Sequence, residues 1–140
     1  MGPRPADPRR ARARMPGVPH LTTRSQMMVA GRLGLAAGCL AAPDLVVRLL
    51  GFPERSSTAR TFARMLGVRD LAVALVLVST AGDSAAHKRA VQIAGLVDLG
   101  DVAAIALGAA TDPGMRTAAV RNLPFAGSSA LFCFLAARTI

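Results

Sequence analysis

The chain has no tryptophan and no tyrosine, and only one of its 17 basic residues, Lys88, is a lysine. The missing aromatics remove the interfacial belt that anchors many membrane-spanning helices. Its two cysteines, Cys39 and Cys133, stand apart without CxxC spacing, so neither a cysteine metal site nor a disulfide scaffold is indicated. His20 and His87 lie in polar connecting segments, where we expect them to be solvated. We expect no metal and no cofactor.

Apolar residues, by contrast, are abundant. They make up 52% of the 140 residues and the mean hydropathy is +0.41, which is high for a soluble domain of this size. The runs Leu71–Val78 and Leu131–Ala137 contain no polar residue at all. A soluble helical bundle would show a polar face along such runs, so the pattern favours helices in a lipid bilayer.

The formal net charge of +9 belongs mostly to the N-terminal segment. Residues 1–24 hold six arginines and five of the nine prolines against a single acid, Asp7. Such a composition cannot bury enough apolar surface to fold, so we predict a disordered basic tail. Because the basicity is a tail property, we expect no nucleic-acid partner; a soluble arginine-rich helical nucleic-acid binder is the less favoured alternative.

Residues 25–140 are predicted to form one all-α domain, an antiparallel four-helix transmembrane bundle. The four helices are expected at about 26–50, 59–80, 88–110 and 115–137. Ser25 is a plausible cap for the first helix, and Pro43 allows it to bend. The short polar connection Gly82–Arg89 predicts that the second and third helices are antiparallel neighbours.

Glycines recur at helical spacing on several of these helices. Gly34 and Gly38 form a GxxxG pattern on the first helix, which favours close helix packing in lipid and predicts a homo-oligomer through that helix. The predicted helix-packing glycines are Gly34, Gly38, Gly67, Gly100 and Gly108.

Charged residues inside the apolar helices are the strongest candidates for a site. Arg69 and Asp70 interrupt the second helix, and Asp98 and Asp101 share one face of the third helix. In an antiparallel hairpin that turns near residue 85, Arg69 and Asp101 lie at equal depth. We therefore predict a buried charge cluster of these four residues. Its candidate additional members are Arg32, Arg121 and Asn122.

Two roles are open for this cluster. The pairing of the two helices would account for the charges by itself, which makes the cluster structural. Three carboxylates near one arginine leave surplus negative charge, which instead suits a proton or a small ligand. No catalytic residues are indicated, so we favour a non-enzymatic membrane protein; a small membrane enzyme or redox-complex subunit is the alternative.

The distribution of basic residues predicts the orientation. The basic residues expected in the cytoplasm are Arg4, Arg9, Arg10, Arg12, Arg14, Arg24, Lys88, Arg89 and Arg138. Fewer, namely Arg55, Arg60 and Arg116, lie in the loops on the opposite side. The positive-inside rule then predicts a multi-pass protein of the cell inner (plasma) membrane with both termini in the cytoplasm.

Two motifs support a resemblance. They are Arg64-x-x-Gly67-x-Arg69-Asp70-Leu71 and Leu96-Val-Asp98-Leu-Gly-Asp101. Over about residues 27–138 the chain resembles a domain-of-unknown-function family of small bacterial four-helix integral membrane proteins, and is more distantly similar to DoxX-like proteins. The resemblance implies four spanning helices with the charged motifs on the middle two. Ala74 departs from the glycine of that pattern, and the resemblance implies no activity.

Overall fold

The computed structural model describes residues 21–52 and 56–140, and in this part of the chain it contains helices and turns but no strand. The all-α prediction is confirmed there. The helices are α1 (Thr23–Ala41), α2 (Pro43–Leu49), α3 (Ser57–Ser79), α4 (Ser84–Thr111) and α5 (Arg116–Ala137), and a 3₁₀ turn at Pro113–Met115 precedes α5. Residues 1–20 of the predicted tail lie outside the described residues, whereas Thr23 and Arg24 belong to α1.

Side-chain caps determine where three of the helices begin. The Thr22 hydroxyl accepts a hydrogen bond from the Ser25 amide, so α1 begins before the cap that we expected at Ser25. The Ser56 hydroxyl caps α3 through the amide of Ala59. Asp83 caps α4 by accepting from the first free amides of that helix, so α4 begins before the predicted residue 88.

The first predicted helix, at about 26–50, is two helices rather than one. The axes of α1 and α2 differ by 117° across Ala42. Pro43 is the first residue of α2, and because proline has no N–H and excludes the preceding residue from helical geometry, α1 ends there. A bend this large directs the end of α2 sideways, away from the axis of α1.

The helices associate as two pairs. α1 packs along α3, and α4 packs along α5, whereas α3 and α4 contact each other less extensively than either contacts its own partner. Each pair has a glycine at its crossing. A Cβ on Gly67 would lie 2.8 Å from Cys39 Cβ, and one on Gly95 would lie 3.1 Å from Cys133 Cβ. The second and third predicted helices, which correspond to α3 and α4, do contact each other, but each packs more extensively against its own partner, α1 or α5.

The distribution of residue sizes is opposite to that of a soluble protein. Buried apolar positions are mostly alanine: Ala36, Ala63, Ala74, Ala90, Ala94, Ala118, Ala119, Ala126, Ala130, Ala136 and Ala137. Large apolar side chains that are more than half exposed include Leu75, Ile93, Leu96, Leu107, Val120 and Leu131. Small residues between helices with large apolar residues outside are typical of helices that associate in lipid.

Two helical segments among the described residues are long and apolar enough, by length and composition, to cross a membrane. They are α4, and α5 together with the 3₁₀ turn before it. α1 and α2 together form a third candidate if the bent pair counts as one span. α3 is long enough but does not meet the same composition criterion, because Arg64, Arg69 and Asp70 interrupt its apolar run.

Candidate functional site

A buried charge cluster lies where α1, α3 and α4 meet. Its members are Arg32, Arg69, Asp70, Asp98 and Asp101. Arg32 is at its centre: Nη1 donates to Asp70 Oδ1 at 2.6 Å, and Nη2 donates to Asp98 Oδ2 at 2.9 Å. Nη2 also donates to the carbonyl oxygen of Ala94 at 3.2 Å. The side chain of Arg32 is only 8% exposed. One guanidinium group thus joins three helices.

Arg69 forms the outer part of this charge cluster. Its Nη1 donates to Asp101 Oδ1, and its Nη2 donates to Asp70 Oδ2 at 3.2 Å. The contact between Arg69 and Asp101 agrees with the equal depth expected of a hairpin. These two side chains are 30% and 31% exposed, whereas Asp70 is 2% exposed. The cluster therefore has a fully enclosed part around Arg32 and an accessible part at Asp101.

The fourth long helix, α5, contributes two side chains that the sequence reasoning did not include. The Ser129 hydroxyl donates to Asp98 Oδ2 at 2.7 Å, and Cys133 Sγ lies 3.8 Å from the same oxygen. The signal was present in the spacing: Ser129 and Cys133 share a helical face with Ala126 and Ala137, both buried. A serine on an alanine face of an apolar helix faces a neighbouring helix.

The charge cluster lies next to the apolar core, on the side away from the α3–α4 turn. The core lies toward the α3–α4 turn and consists of Met28, Val29, Ala74, Leu77, Ala90, Val91, Ala94, Cys133, Ala136 and Ala137. On each long helix a polar residue is one turn from a core residue, as in the sequence pairs Val29 and Arg32, Asp70 and Ala74, Ala94 and Asp98, Ser129 and Cys133. The two helix pairs are consequently packed tightly on one side of the cluster.

On the other side of the cluster the helix pairs border a half-open cavity of about 1010 Å³. Its walls are mostly apolar and include Phe62, Leu66, Ile105, Phe125 and Phe132. Every member of the charge cluster also lines it, and Ser56, Asp112 and Asn122 line it further from the cluster. The cluster is thus the most highly charged part of a mostly apolar space. A concave apolar space with a few convergent polar groups has the form of a small-molecule site.

The hydrogen bonds of the cluster leave one carboxylate oxygen available. Both oxygens of Asp70 and both oxygens of Asp98 accept hydrogen bonds within the cluster. Asp101 Oδ1 accepts from Arg69, but Asp101 Oδ2 accepts none from the described residues. Three carboxylates against two guanidinium groups give the cluster a formal surplus of one negative charge, and Asp101 is its most exposed carboxylate.

Arg121 and Asn122 lie outside the cluster, contrary to the role that we considered for them. Asn122 Nδ2 donates to the carbonyl oxygens of Leu50 and Ala118, at 2.6 Å each, and Arg121 Nη1 is 3.5 Å from that of Leu49. The bend before α2 brings the end of that helix against α5 at this level. Asn122 is seven residues, or about 10 Å of helix, from Ser129, which contacts the cluster.

The predicted packing glycines differ in their surroundings. Gly67 is at the crossing of α1 and α3, and a Cβ on Gly38 would lie 3.3 Å from Val46 of α2. Gly34 and Gly100 have open space at the Cβ position, so neither packs against a helix in the described part of the chain. Gly108 has only the end of the Met115 side chain nearby, at 3.8 Å. The homo-oligomer through α1 stays a prediction.

His87 is buried, and our expectation of a solvated histidine is wrong. Its side chain is in a polar junction at the α3–α4 turn, where Nε2 lies 2.8 Å from Ser25 Oγ and Nδ1 lies 3.2 Å from Thr80 Oγ1. The earlier start of α4 explains the difference, because His87 belongs to the first turn of a helix rather than to a loop. This junction ties α1, α3 and α4 together.

The described residues contain no group of three or more His, Cys, Asp or Glu side chains that could hold a metal ion. The charge cluster and its cavity are therefore the feature with the clearest capacity to bind something. Comparison of the chain with protein-family models, curated proteins and solved structures finds no match.

Proposed function

We propose that this protein is a multi-pass integral membrane protein that binds an amphipathic small molecule in the cavity between its two helix pairs. The observation that carries the proposal is the position of the charge cluster in the lining of a mostly apolar cavity of about 1010 Å³. The cavity accepts the apolar part of the molecule, and the cluster accepts its polar group. The activity is binding, and no chemical step is assigned to it.

The outer surface of the helices supports the membrane setting. Large side chains such as Leu75, Leu107 and Leu131 project outward, whereas alanines occupy the helix contacts. A soluble arginine-rich nucleic-acid binder would have to expose the same side chains to water, at a cost of about 1.5 to 3 kcal/mol for each one fully exposed. A bilayer provides an apolar environment for them without that cost.

In the proposed orientation the long helices form an antiparallel four-helix transmembrane bundle with both termini in the cytoplasm. α1 has 19 residues and α3 has 23, which correspond to about 28 and 34 Å and match a hydrocarbon core of about 30 Å. Arg69 and Asp70 can enter the bilayer because their partners come from α1 and α4. α2, bent away from α1, then lies near the membrane surface.

Reporter fusions test this orientation. We expect fusions at Ala86 and at Ile140 to report a cytoplasmic location, and a fusion at Gly114 to report the opposite side, because the basic residues Lys88, Arg89 and Arg138 flank the first two positions. The measurement is the paired activity of an alkaline phosphatase fusion, which is active outside the cytoplasm, and a green fluorescent protein fusion, which is fluorescent inside it. Recovery of the unfused protein in the soluble fraction without detergent would contradict the membrane assignment.

The absence of tryptophan allows a sensitive test of the cavity. In Phe132→Trp the only indole lines the cavity, whereas in Leu131→Trp the only indole is on the outer surface of the same helix. With the protein in phosphatidylcholine nanodiscs, we expect 12-bromododecan-1-ol to quench the indole at 132 saturably at low mole fraction. Quenching at 131 should rise in proportion to the amount of bromoalcohol in the bilayer, because it reflects collisions in lipid.

A cavity-filling substitution provides the control. Ala126 is buried and lines the cavity, so Ala126→Phe in the Phe132→Trp background should remove the saturable component while the far-UV circular dichroism stays helical. If the indoles at 132 and 131 show the same linear quenching, the cavity does not bind the probe and the charge cluster is purely structural.

A further inference from the structure

We infer that the molecule held in the cavity carries one positively charged head group, an alkylammonium or alkylguanidinium, and that Asp101 receives it. This inference rests on the proposed function and adds the chemical class of the ligand. It comes from the charge balance of the cluster, the hydrogen bonds that each member already makes, and the dimensions of the apolar walls.

Asp101 is the cluster carboxylate with spare capacity. Its side chain is 31% exposed and lines the cavity, whereas Asp70 and Asp98 are 2% and 7% exposed and have both oxygens engaged. Asp101 Oδ2 has no donor among the described residues. A cation placed there would neutralise the surplus charge and complete the hydrogen bonding of the last free carboxylate oxygen.

Both arginines are already paired with carboxylates of the cluster. The terminal nitrogens of Arg32 donate to Asp70, to Asp98 and to a backbone carbonyl, and those of Arg69 donate to Asp101 and Asp70. The guanidinium nitrogen of Arg69 that has no partner in the described part of the chain, Nε, is buried. The cluster as a whole has three carboxylates against two guanidinium groups. A carboxylate or phosphate would therefore meet net negative charge.

The length of the cavity suits an extended alkyl tail. Along α3 the lining residues run from Arg69 back to Thr58, eleven residues or about 16 Å of helix. Phe62 on α3 and Phe125 on α5 line this length. A ligand with its head at Asp101 thus places its tail toward the end of the molecule that contains α2 and the α4–α5 connection.

Competition between three compounds with the same tail tests the head group. Dodecylamine, dodecan-1-ol and dodecanoate are used to displace 12-bromododecan-1-ol from Phe132→Trp protein in phosphatidylcholine nanodiscs at pH 7. We expect the ammonium compound to displace the probe at a concentration about fivefold lower than the alcohol, which is the effect of one partly exposed ion pair. Dodecanoate should be the weakest competitor.

Two variants test whether Asp101 causes the preference for the amine over the alcohol. Asp101→Asn should remove the advantage of the amine over the alcohol, while Asp44→Asn, an exposed carboxylate away from the cavity, should keep it. Saturable quenching by the bromoalcohol in Asp101→Asn verifies that the variant is folded. If that variant does not fold, Ala104→Lys serves the same purpose, because Ala104 lines the cavity on the helix of Asp101 and an ammonium there supplies the missing charge without breaking the contact with Arg69.

The outcomes separate this inference from the proposed function. The inference is overturned if the amine and the alcohol displace the probe equally well from the protein with the wild-type cluster. It is also overturned if the preference for the amine survives both Asp101→Asn and Ala104→Lys. Either result leaves the proposed binding cavity intact. Absence of saturable quenching by the bromoalcohol overturns both.

Discussion

Arg32→Met is expected to lower the free energy of unfolding by roughly 3 to 5 kcal/mol, which is the usual loss when one partner is removed from a buried ion pair. The guanidinium of Arg32 donates to Asp70, to Asp98 and to the carbonyl of Ala94. Methionine fills much of the same volume but leaves two carboxylates enclosed without their cation. The loss therefore comes mainly from uncompensated buried charge and only slightly from packing.

The measurement is unfolding of the purified protein in detergent micelles by increasing mole fractions of sodium dodecyl sulfate, followed by far-UV circular dichroism. Arg64→Met is the matched control, because Arg64 lies on α3 and is exposed. We expect a loss within about 0.5 kcal/mol for that control. Losses of equal size for Arg32→Met and Arg64→Met would contradict the central role of Arg32.

A double substitution separates the effect of the charge of Arg32 from the effect of its shape. Asp98→Asn should cost less in the Arg32→Met background than in the wild type, because it removes a carboxylate that no longer has its cation. Arg32→Lys should retain only part of the stability, since one ammonium cannot reproduce the planar fork that reaches Asp70 and Asp98 together. Strict additivity of Arg32→Met and Asp98→Asn would mean that the two side chains do not interact.

The sequence was sufficient to predict the contact between Arg69 and Asp101 because it depends on local information. A short turn joins their helices, and a fixed rise per residue then determines which positions lie at equal depth. Helical periodicity also puts Asp70 on one face of α3 with Ala63, Gly67 and Ala74, and all four residues are buried. These inferences need only helical periodicity and a hairpin.

The central position of Arg32 could not be obtained in this way. It depends on the packing of α1 against α3 rather than against its other neighbours, and the loop between those helices leaves that choice open. The misassignment of Arg121 and Asn122 has a similar origin: Pro43 predicts a bend, but a proline does not specify 117° or the direction in which α2 leaves. Tertiary geometry, not residue type, decided which polar residues joined the cluster.

The glycines also show that local sequence patterns do not determine helix pairing. Five glycines at helical spacing were predicted to mediate packing, yet Gly34 and Gly100 face open space and Gly67 is at a close helix crossing. In an alanine- and glycine-rich chain the small-residue pattern recurs on several faces, and only the helix pairing selects the face that is used. Gly95 lies at the crossing of α4 and α5, but nothing in the sequence pattern around it distinguishes it from the other glycines.

Gly67→Ala is expected to destabilise the protein by about 1 to 3 kcal/mol, as overpacking of a tight contact usually does. The new Cβ would lie 2.8 Å from Cys39 Cβ and 3.1 Å from the carbonyl oxygen of Ala36. Because one of these atoms is backbone, a side-chain rotation cannot relieve the contact, and α1 must move away from α3. Movement of α1 would also displace Arg32 from Asp70, so the steric cost and the electrostatic cost arise together.

Gly100→Ala is the matched control and should have the opposite sign. Gly100 also lies within a long helix, but a Cβ there meets nothing within 4 Å, so the substitution should gain about 0.5 to 1 kcal/mol from helix propensity. The same micellar unfolding measurement compares the two. A stabilising effect of Gly67→Ala would mean that α1 and α3 do not cross at this position, and the enclosure of Arg32 between the two helix pairs would lose its structural basis.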